Sequence, residues 1–551
     1  MHERGKSDNS VVPAKPPNKA GGPAAEVVEG RGLAKGNTDG STRPGRSAGP
    51  GVPSGLDRVR EVARRDKEAR FTALLHHVDF ARLWTAYQAI RPNAAAGVDE
   101  VTWAAYGRDL EANLRDLHQR VHAGRYRASP SRRVYIPKPD GRQRPLGIAT
   151  LEDKIVQRAV VEVLNAIYEE DFVGFSYGFR PGRGPHDALD ALAVGITERR
   201  VNWILDADVS DFFSKLDQAW LMRFLEHRVA DKRVLRLIRK WLTAGVIEDG
   251  NWSETIEGSP QGASVSPLLA NVYLHYVFDR WVRQWRRRHA RGDMVVTRFA
   301  DDFVVGFQHL GDARQFLSDL RERFAKFNLE LHPDKTRLIE FGRFAASNRK
   351  EHGLEKPETF DFLGFTHMCG KTKDGRFWLR RVTIKKRLRA KLKQVKADLR
   401  RRRHLPIPDQ GRWLASVVRG HLAYYAVPGN IDAVSAFRDE VKRLWHETLR
   451  RRSQRSRLTW ERYGRITNRW LPPPASRIPI PACASLPEPK AGARCGSSAR
   501  RDLSGGPPAR AVPTGLSDDG RDNTTRSERR TPASSMRGKE GRNPDECRTF
   551  G

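Results

Sequence analysis

Val295-Val-Thr-Arg-Phe-Ala-Asp-Asp-Phe-Val-Val-Gly-Phe307 sets two β-branched and aromatic runs on either side of Ala300-Asp301-Asp302. The pattern predicts a β-hairpin with two carboxylates at its bend. Adjacent aspartates held that close repel each other, and a fold that keeps them ionised usually has a bound cation to offset the repulsion. Aspartate is also a common turn residue, so the doublet taken alone reads first as a polar turn. The rest of the chain has to decide between the two.

The chain of 551 residues is long enough for two or three domains, and 38% hydrophobic residues bury a core over part of it. Charge is the stronger constraint. With 100 Lys and Arg against 66 Asp and Glu, a formal +34, the chain calls for a polyanionic partner, and nucleic acid is the obvious one. No apolar run reaches spanning length and no signal-peptide core follows Met1, so a membrane is excluded and the cytosol is expected. Cys369, Cys483, Cys495 and Cys547 show no Cys-x-x-Cys spacing and no matching histidines, which argues against a disulfide framework and a zinc module.

Residues 1–55 are rich in Gly, Pro, Ser, Lys and Asn and predict a disordered basic arm. Leu56, Val59, Val62 and Ala63, and later Leu74 and Leu75, predict an amphipathic helix, with another over Phe80–Ile90. Arg132–Ile148 reads as a hairpin around a Pro-Asp-Gly turn whose Lys138, Arg142 and Arg144 converge on one face, an arrangement suited to a triphosphate or simply to solvent. Leu151, Ile155, Ala159, Val163 and Ile167 recur every fourth residue, the stripe of a buried helix. Ser176-Tyr-Gly-Phe-Arg-Pro-Gly-Arg183 has the composition of a loop that grips phosphates and stacks bases, and equally that of an ordinary turn.

Val201-Asn-Trp-Ile-Leu205 predicts a buried strand running into Asp206-Ala-Asp208, where a carboxylate could join a metal site made by another hairpin. Period alone does not separate Asp206 from Asp208, which share a face if the strand continues. Gly258-Ser-Pro-Gln-Gly262 is a turn offering backbone N–H groups and Gln261 to a ligand, or a helix cap; an apolar helix from Leu268 to about Trp285 follows. Lys385–Lys396 and Arg400–Arg403 form a basic helical stretch with a seam of Leu388, Leu392, Val395 and Leu399. Trp413, Val417, Val418, Leu422, Tyr424 and Tyr425 mark packed helices. Residues 471–551 turn to Pro, Gly, Ser and Arg and read as a disordered tail, with no His-Asn-His nuclease module or DNA-binding domain.

One order joins these pieces: basic hairpin, strand with Asp, Ser-Pro-Gln-Gly turn, Ala-Asp-Asp hairpin, Leu331-His-Pro-Asp-Lys-Thr336 and Phe360-Asp-Phe-Leu-Gly-Phe365. In that order, over residues 56–470, the chain resembles the bacterial group II intron reverse transcriptase/maturases. Ile136-Pro-Lys-Pro139, Arg144-Pro-Leu-Gly147, Tyr177-Gly-Phe-Arg-Pro181 and Phe362-Leu-Gly-Phe365 point to intron proteins over retroviral ones. The resemblance implies an α+β right-hand polymerase: fingers and palm with an antiparallel sheet over 56–368, then an α-helical thumb/maturase domain over 369–470.

It further implies that Asp208, Asp301 and Asp302 are catalytic and, with the Val209 carbonyl, hold two Mg²⁺ ions, one lowering the pKa of a primer 3′-hydroxyl and one stabilising the leaving pyrophosphate. Lys138 and Arg144 would bind the triphosphate, Phe213 would exclude a ribose 2′-OH, Gln261 would contact nucleotide or template, and Lys335 would serve as a general acid. Phe299 departs from the tyrosine usual in the family, losing a hydroxyl but no metal ligand. The implied partners are group II intron RNA as template and splicing substrate, a DNA primer or target, and dNTPs, in the bacterial cytosol or nucleoid. The competing readings are an RNA-binding splicing factor with a vestigial polymerase site, and a retron, diversity-generating or CRISPR-associated reverse transcriptase.

Overall fold

The computed structural model describes residues 55–137, 143–248, 251–254, 258, 262–372, 374–452 and 458–474. The expected arms, 1–55 and 471–551, therefore lie almost wholly outside the described residues, as do Lys138, Arg142 and Gln261.

At the centre is a four-stranded antiparallel sheet. Its strands are β3 (Trp203–Ala207), β6 (Met294–Phe299), β7 (Asp302–Phe307) and β8 (Arg337–Glu340), in the order β6-β7-β3-β8. Alternation along the strands divides their side chains between two cores. Leu205, Ala207, Phe303, Val305 and Phe307 face one, while Ile204, Val304 and Ile339 face the other. A sheet buried on both faces explains why its strands read as near-continuous apolar runs.

The first core packs α1 (Gly55–Arg65), α2 (Phe80–Ala89), α3 (Leu110–His122) and α4 (Leu151–Asp171) together with α6 (Gln218–Glu226), α7 (Lys232–Leu242), α8 (Ser266–Leu274), α9 (Arg280–Arg288) and α10 (Leu310–Ala325). Every member of the predicted α4 stripe is buried. Thr150 caps that helix by accepting from the Asp153 N–H, which satisfies one of the first-turn donors. The first predicted helix is shorter than expected. Asp66 Oδ1 accepts from the N–H groups of Glu68 and Ala69, an Asx-type turn that ends the run, so Leu74 and Leu75 enter the core from a separate turn. The helix predicted over 268–285 is also interrupted. A π-helical turn, His275–Asp279, separates α8 from α9.

A second sheet runs β2-β1-β4-β5, built from β1 (Ser131–Pro137), β2 (Gln143–Ile148), β4 (Val246–Glu248) and β5 (Asn251–Ser253). β1 and β2 pair antiparallel, with Ile136 opposite Arg144, and β1 pairs parallel with β4. The third sheet, β11-β10-β9, joins β9 (Phe360–Phe362), β10 (Phe365–Lys371) and β11 (Phe377–Thr383). β10 runs across the boundary expected at 368/369.

The second core gathers α5 (Pro185–Glu198), the third sheet and four helices: α11 (Lys385–Arg401), α12 (Ile407–Tyr425), α13 (Ile431–Arg450) and α14 (Trp460–Trp470). As predicted, α11 buries Val395 and Leu399 and half-buries Leu388 and Leu392, leaving its cations outside. Gln410, fully buried, joins these helices. Its Nε2 donates to the carbonyls of Arg402, Arg403 and Leu405, and its Oε1 accepts from the Trp445 indole. Among the described residues no helix is long and apolar enough to cross a membrane.

Candidate active site

β6 and β7 form the predicted hairpin, with Phe299 opposite Asp302 and only Ala300 and Asp301 between them. Ala300 has φ +58°, where a two-residue hairpin usually carries glycine. The bend is thus held in a costly conformation by its surroundings. β3 pairs with β7 so that Asp206 faces Val304, and the chain leaving β3 carries Asp208 up to the bend. Asp208 lies beside Asp301 and Asp302, close enough that its charge works against the ionisation of both.

Both bend carboxyls are pushed upward. For Asp301, burial comes first and the charge of Asp208 adds to it, while the residue's own backbone N–H, Arg144 and Arg298 pull the other way. For Asp302, whose residue is partly open to solvent, desolvation again comes first, followed by repulsion from Asp301 and Asp208 and relief from Arg387. Asp206 is pushed up to about 6 by burial, against the pull of Arg337. Arg144, on β2, therefore belongs to the same site, whereas Asp206 is paired sideways to Arg337 at 3.4 Å.

Residues around Asp208 set its orientation. Its carbonyl accepts from the His332 N–H, and the Ser210 N–H donates to the Glu330 carbonyl, so Val209 and Leu331 form a bridge that leaves the Val209 carbonyl out of both bonds. That bridge brings Lys335 to Asp208, where the ammonium touches Oδ2. Phe213 sits half-buried on the short turn after Asp211, edge-on to Phe212. Gly258 packs against that turn, and Gly262 packs against β2. A Cβ on Gly258 would meet the Phe213 carbonyl at 2.6 Å, and one on Gly262 would meet the Gly147 carbonyl at 2.6 Å. Ser259, Pro260 and Gln261 lie outside the described residues.

Ser176–Arg183 is a brace, not a phosphate grip. Arg180 is buried, its guanidinium donating to the carbonyls of Val173 and Ser176 and to Glu169. Arg183 donates to the Gly174 carbonyl at 2.6 Å. Among the other residues that sequence reading passed over, Arg387 at the start of α11 reaches toward Asp302 across the Leu363-Gly364 turn. A basic residue in a basic helix gives no local sign of this.

Residues 136–367 match the family model described as reverse transcriptase (RNA-dependent DNA polymerase). The chain is 36% identical over 239 residues to "Protein YkfC" of Escherichia coli (strain K12), covering 38% of this chain and 62% of that protein. It is 32% identical over 238 residues to "Group II intron-encoded protein LtrA" of Lactococcus lactis subsp. cremoris, covering 43% of this chain and 39% of that protein. "Nuclear intron maturase 2, mitochondrial" of Arabidopsis thaliana is 29% identical over 171 residues, 24% of this chain and 23% of that protein. Residues 136–367 are thus similar to reverse transcriptases, and part of the chain is similar to a group II intron-encoded protein. It spans between about two fifths and three fifths of the length of the first two relatives.

Polymerases of this family use divalent metal ions, and the donor set fits them: three carboxylates and a carbonyl are hard oxygen ligands. The Lys335 ammonium against Asp208 marks a position where the site accepts positive charge. Among the described residues no three such side chains are already gathered into a cation cage.

Proposed function

We propose that this chain is an RNA-directed DNA polymerase encoded by a group II intron, acting also as a maturase in splicing and movement of that intron. The observation that carries the reading is the convergence of Asp208, Asp301 and Asp302, from two separate strands, with Arg144 of the second sheet. In this reading residues 56–368 are fingers and palm, and residues 369–470 are thumb and maturase domain. When bound by Asp208, Asp301, Asp302 and the Val209 carbonyl, two Mg²⁺ ions would supply activation of the primer 3′-hydroxyl and neutralisation of phosphate charge.

The chain's own residues do the rest. Arg144, with Lys138 on the same hairpin, clamps the dNTP triphosphate as a fork and a point charge. Phe213 closes the sugar pocket, so a nucleotide bearing a 2′-OH fits poorly and DNA is the product. Gln261 touches the nucleotide or template. Lys335 leaves Asp208 as the site fills and donates a proton toward the pyrophosphate. The outward cations of α11 hold the phosphates of intron RNA by charge and shape, a binding that weakens steeply with salt.

The test is extension of a DNA primer on an RNA template with Mg²⁺ and dNTPs, comparing wild type with Asp301→Asn/Asp302→Asn, alongside intron RNA binding by both. Extension by wild type alone, with RNA bound by both, supports the two-function reading. RNA binding without extension by wild type makes the chain a splicing factor with a vestigial polymerase site.

A further inference from the structure

Beneath the Ala300-Asp301-Asp302 bend lies a fully buried ionic cluster that the proposed chemistry does not use. Arg298, on β6, is 0% exposed, and so is Asp279, at the end of the π-helical turn. The Arg298 Nε and Nη2 donate to the two Asp279 oxygens at 2.7 and 2.6 Å, a fork on a carboxylate. Nη2 also donates to Ser176 Oγ at 2.7 Å, and Nη1 to Asn271 Oδ1 at 3.1 Å. The remaining bond runs from Nη1 to the carbonyl of Ala300 at 2.8 Å, inside the bend itself.

A second contact reaches the bend from the brace loop. Gly178 lies flat against it, and a Cβ there would sit 2.2 Å from the Ala300 nitrogen and 2.8 Å from the Phe299 carbonyl carbon. The brace is locked in turn. Tyr177 donates its N–H to the Arg298 carbonyl, Arg298 donates its N–H to the Phe175 carbonyl, and Asn271 Nδ2 donates to the Gly178 carbonyl at 2.7 Å. Asn271 thus touches both Arg298 and the brace. The left-handed Ala300 is over-determined from below by one guanidinium and one glycine.

A buried ion pair is a poor stabiliser in general, since desolvation of both ions offsets their attraction. Its retention under two carboxylates calls for another account. We propose that Arg298, oriented by Asp279, is a positioning residue that fixes Ala300 and so sets the separation of Asp301 and Asp302 from Asp208, with Gly178 as the wall that leaves room for the bend. The proposal rests on the reading of those three carboxylates as the metal-holding, catalytic set. Neither Arg298, Asp279 nor Gly178 touches substrate.

The experiment uses the full chain and four variants: Gly178→Ala, Arg298→Lys, Arg298→Met and Arg298→Met/Asp279→Leu. Each is measured for thermal unfolding, Mn²⁺ binding by electron paramagnetic resonance without substrate, intron RNA affinity, and kcat and KM for dNTP in primer extension. Gly178→Ala keeps its fold and its RNA affinity, while kcat falls about 100-fold with KM for dNTP within about 3-fold, the size expected when reacting groups shift by about 1 Å. Its Mn²⁺ affinity falls about 10-fold, as metal sites lose when the groups orienting their ligands are removed. Arg298→Lys keeps a charge for Asp279 but loses the fork, and its kcat and Mn²⁺ affinity lie between wild type and Gly178→Ala. Arg298→Met leaves Asp279 buried and unpaired and lowers the melting temperature. The double variant removes both charges and restores the melting temperature without restoring kcat or Mn²⁺ affinity.

Recovery of fold, Mn²⁺ affinity and kcat together in the double variant would make the pair merely structural and overturn the proposal. So would wild-type kcat and Mn²⁺ affinity in Gly178→Ala. If wild type extends no primer, the polymerase reading falls, and Mn²⁺ affinity across the four variants still decides whether the cluster positions the carboxylates.

Discussion

Replacing His367 by phenylalanine should remove a defined share of the protein's acid sensitivity. His367 lies in β10, 0% exposed, stacked on Phe360 with ring centroids 4.7 Å apart. The carbonyls of Phe360 and Phe365 lie near its ring, but neither ring nitrogen makes a well-aligned hydrogen bond, and the neighbouring charge is the Arg381 guanidinium. Burial first, and Arg381 second, push its pKa down to about 3. The folded protein therefore holds this imidazole neutral, while the unfolded chain protonates it near pH 6.5. Between those values the unfolded state binds more protons, so stability falls as pH falls and the loss stops near pH 3. From pH 6.0 to pH 4.5 this single group costs about 25-fold in the opening equilibrium, ~2 kcal/mol.

The assay is hydrogen exchange of β10 and β11 amides in both proteins at several pH values, corrected for the intrinsic pH dependence of exchange. The ratio of protection in the variant to that in wild type should rise about 25-fold over that interval. Near pH 7 the two should agree within ~1 kcal/mol, because the phenylalanine ring keeps the stack on Phe360 and leaves no nitrogen unpaired. A ratio that stays constant across pH would refute the reasoning, since it would mean that His367 takes up its proton as readily in the fold as in the unfolded chain.

Two further outcomes follow from other residues. Gln410→Met strands the buried Trp445 indole N–H and removes a donor from the carbonyls of Arg403 and Leu405, while the Arg402 carbonyl keeps the Leu405 N–H, so it should destabilise the second core by ~2–3 kcal/mol in denaturant unfolding. Combined with Trp445→Phe the loss should be less than additive by ~1 kcal/mol. Phe213→Val, on the proposed reading, should lower discrimination between dNTP and the matching ribonucleotide by ~10-fold or more in kcat/KM, with DNA synthesis from dNTP retained.

Much of the scaffold could be read from local pattern. The bend at Ala300-Asp301-Asp302 stands between β-branched runs, α4 repeats its apolar residues every fourth position, and α11 carries a narrow seam between cations. What could not be read depends on contacts between distant segments. The Leu268–Trp285 run has the composition of one helix, and nothing in it announces the π-helical turn that delivers Asp279 to Arg298. Arg298 itself, in a strand of a strongly basic chain, reads as one more cation, although it is fully buried. The brace loop misled for a related reason. Arginine and glycine suit a phosphate grip, but here the half-buried Glu169 carboxylate, carbonyls and the flat face of the bend take the place of phosphate. Asp206 and Asp208 were inseparable by period, and the fold separates them by partner, Arg337 for one and Lys335 for the other.

The order of strands β6-β7-β3-β8 also bears on how the protein is made. The strand leading to Asp208 is an inner one of its sheet, yet both of its neighbours follow it in the chain, β7 about 95 residues later and β8 about 130. At a synthesis rate of about 5–20 residues per second, β3 leaves the ribosome with two open edges for roughly 5–20 seconds. Over that time an apolar strand is exposed to pairing with other chains, the hazard that unpaired edges carry. Slower elongation after Ala207, or chaperones withheld during synthesis, should therefore lower the soluble yield of this protein through its sheet centre before any other part.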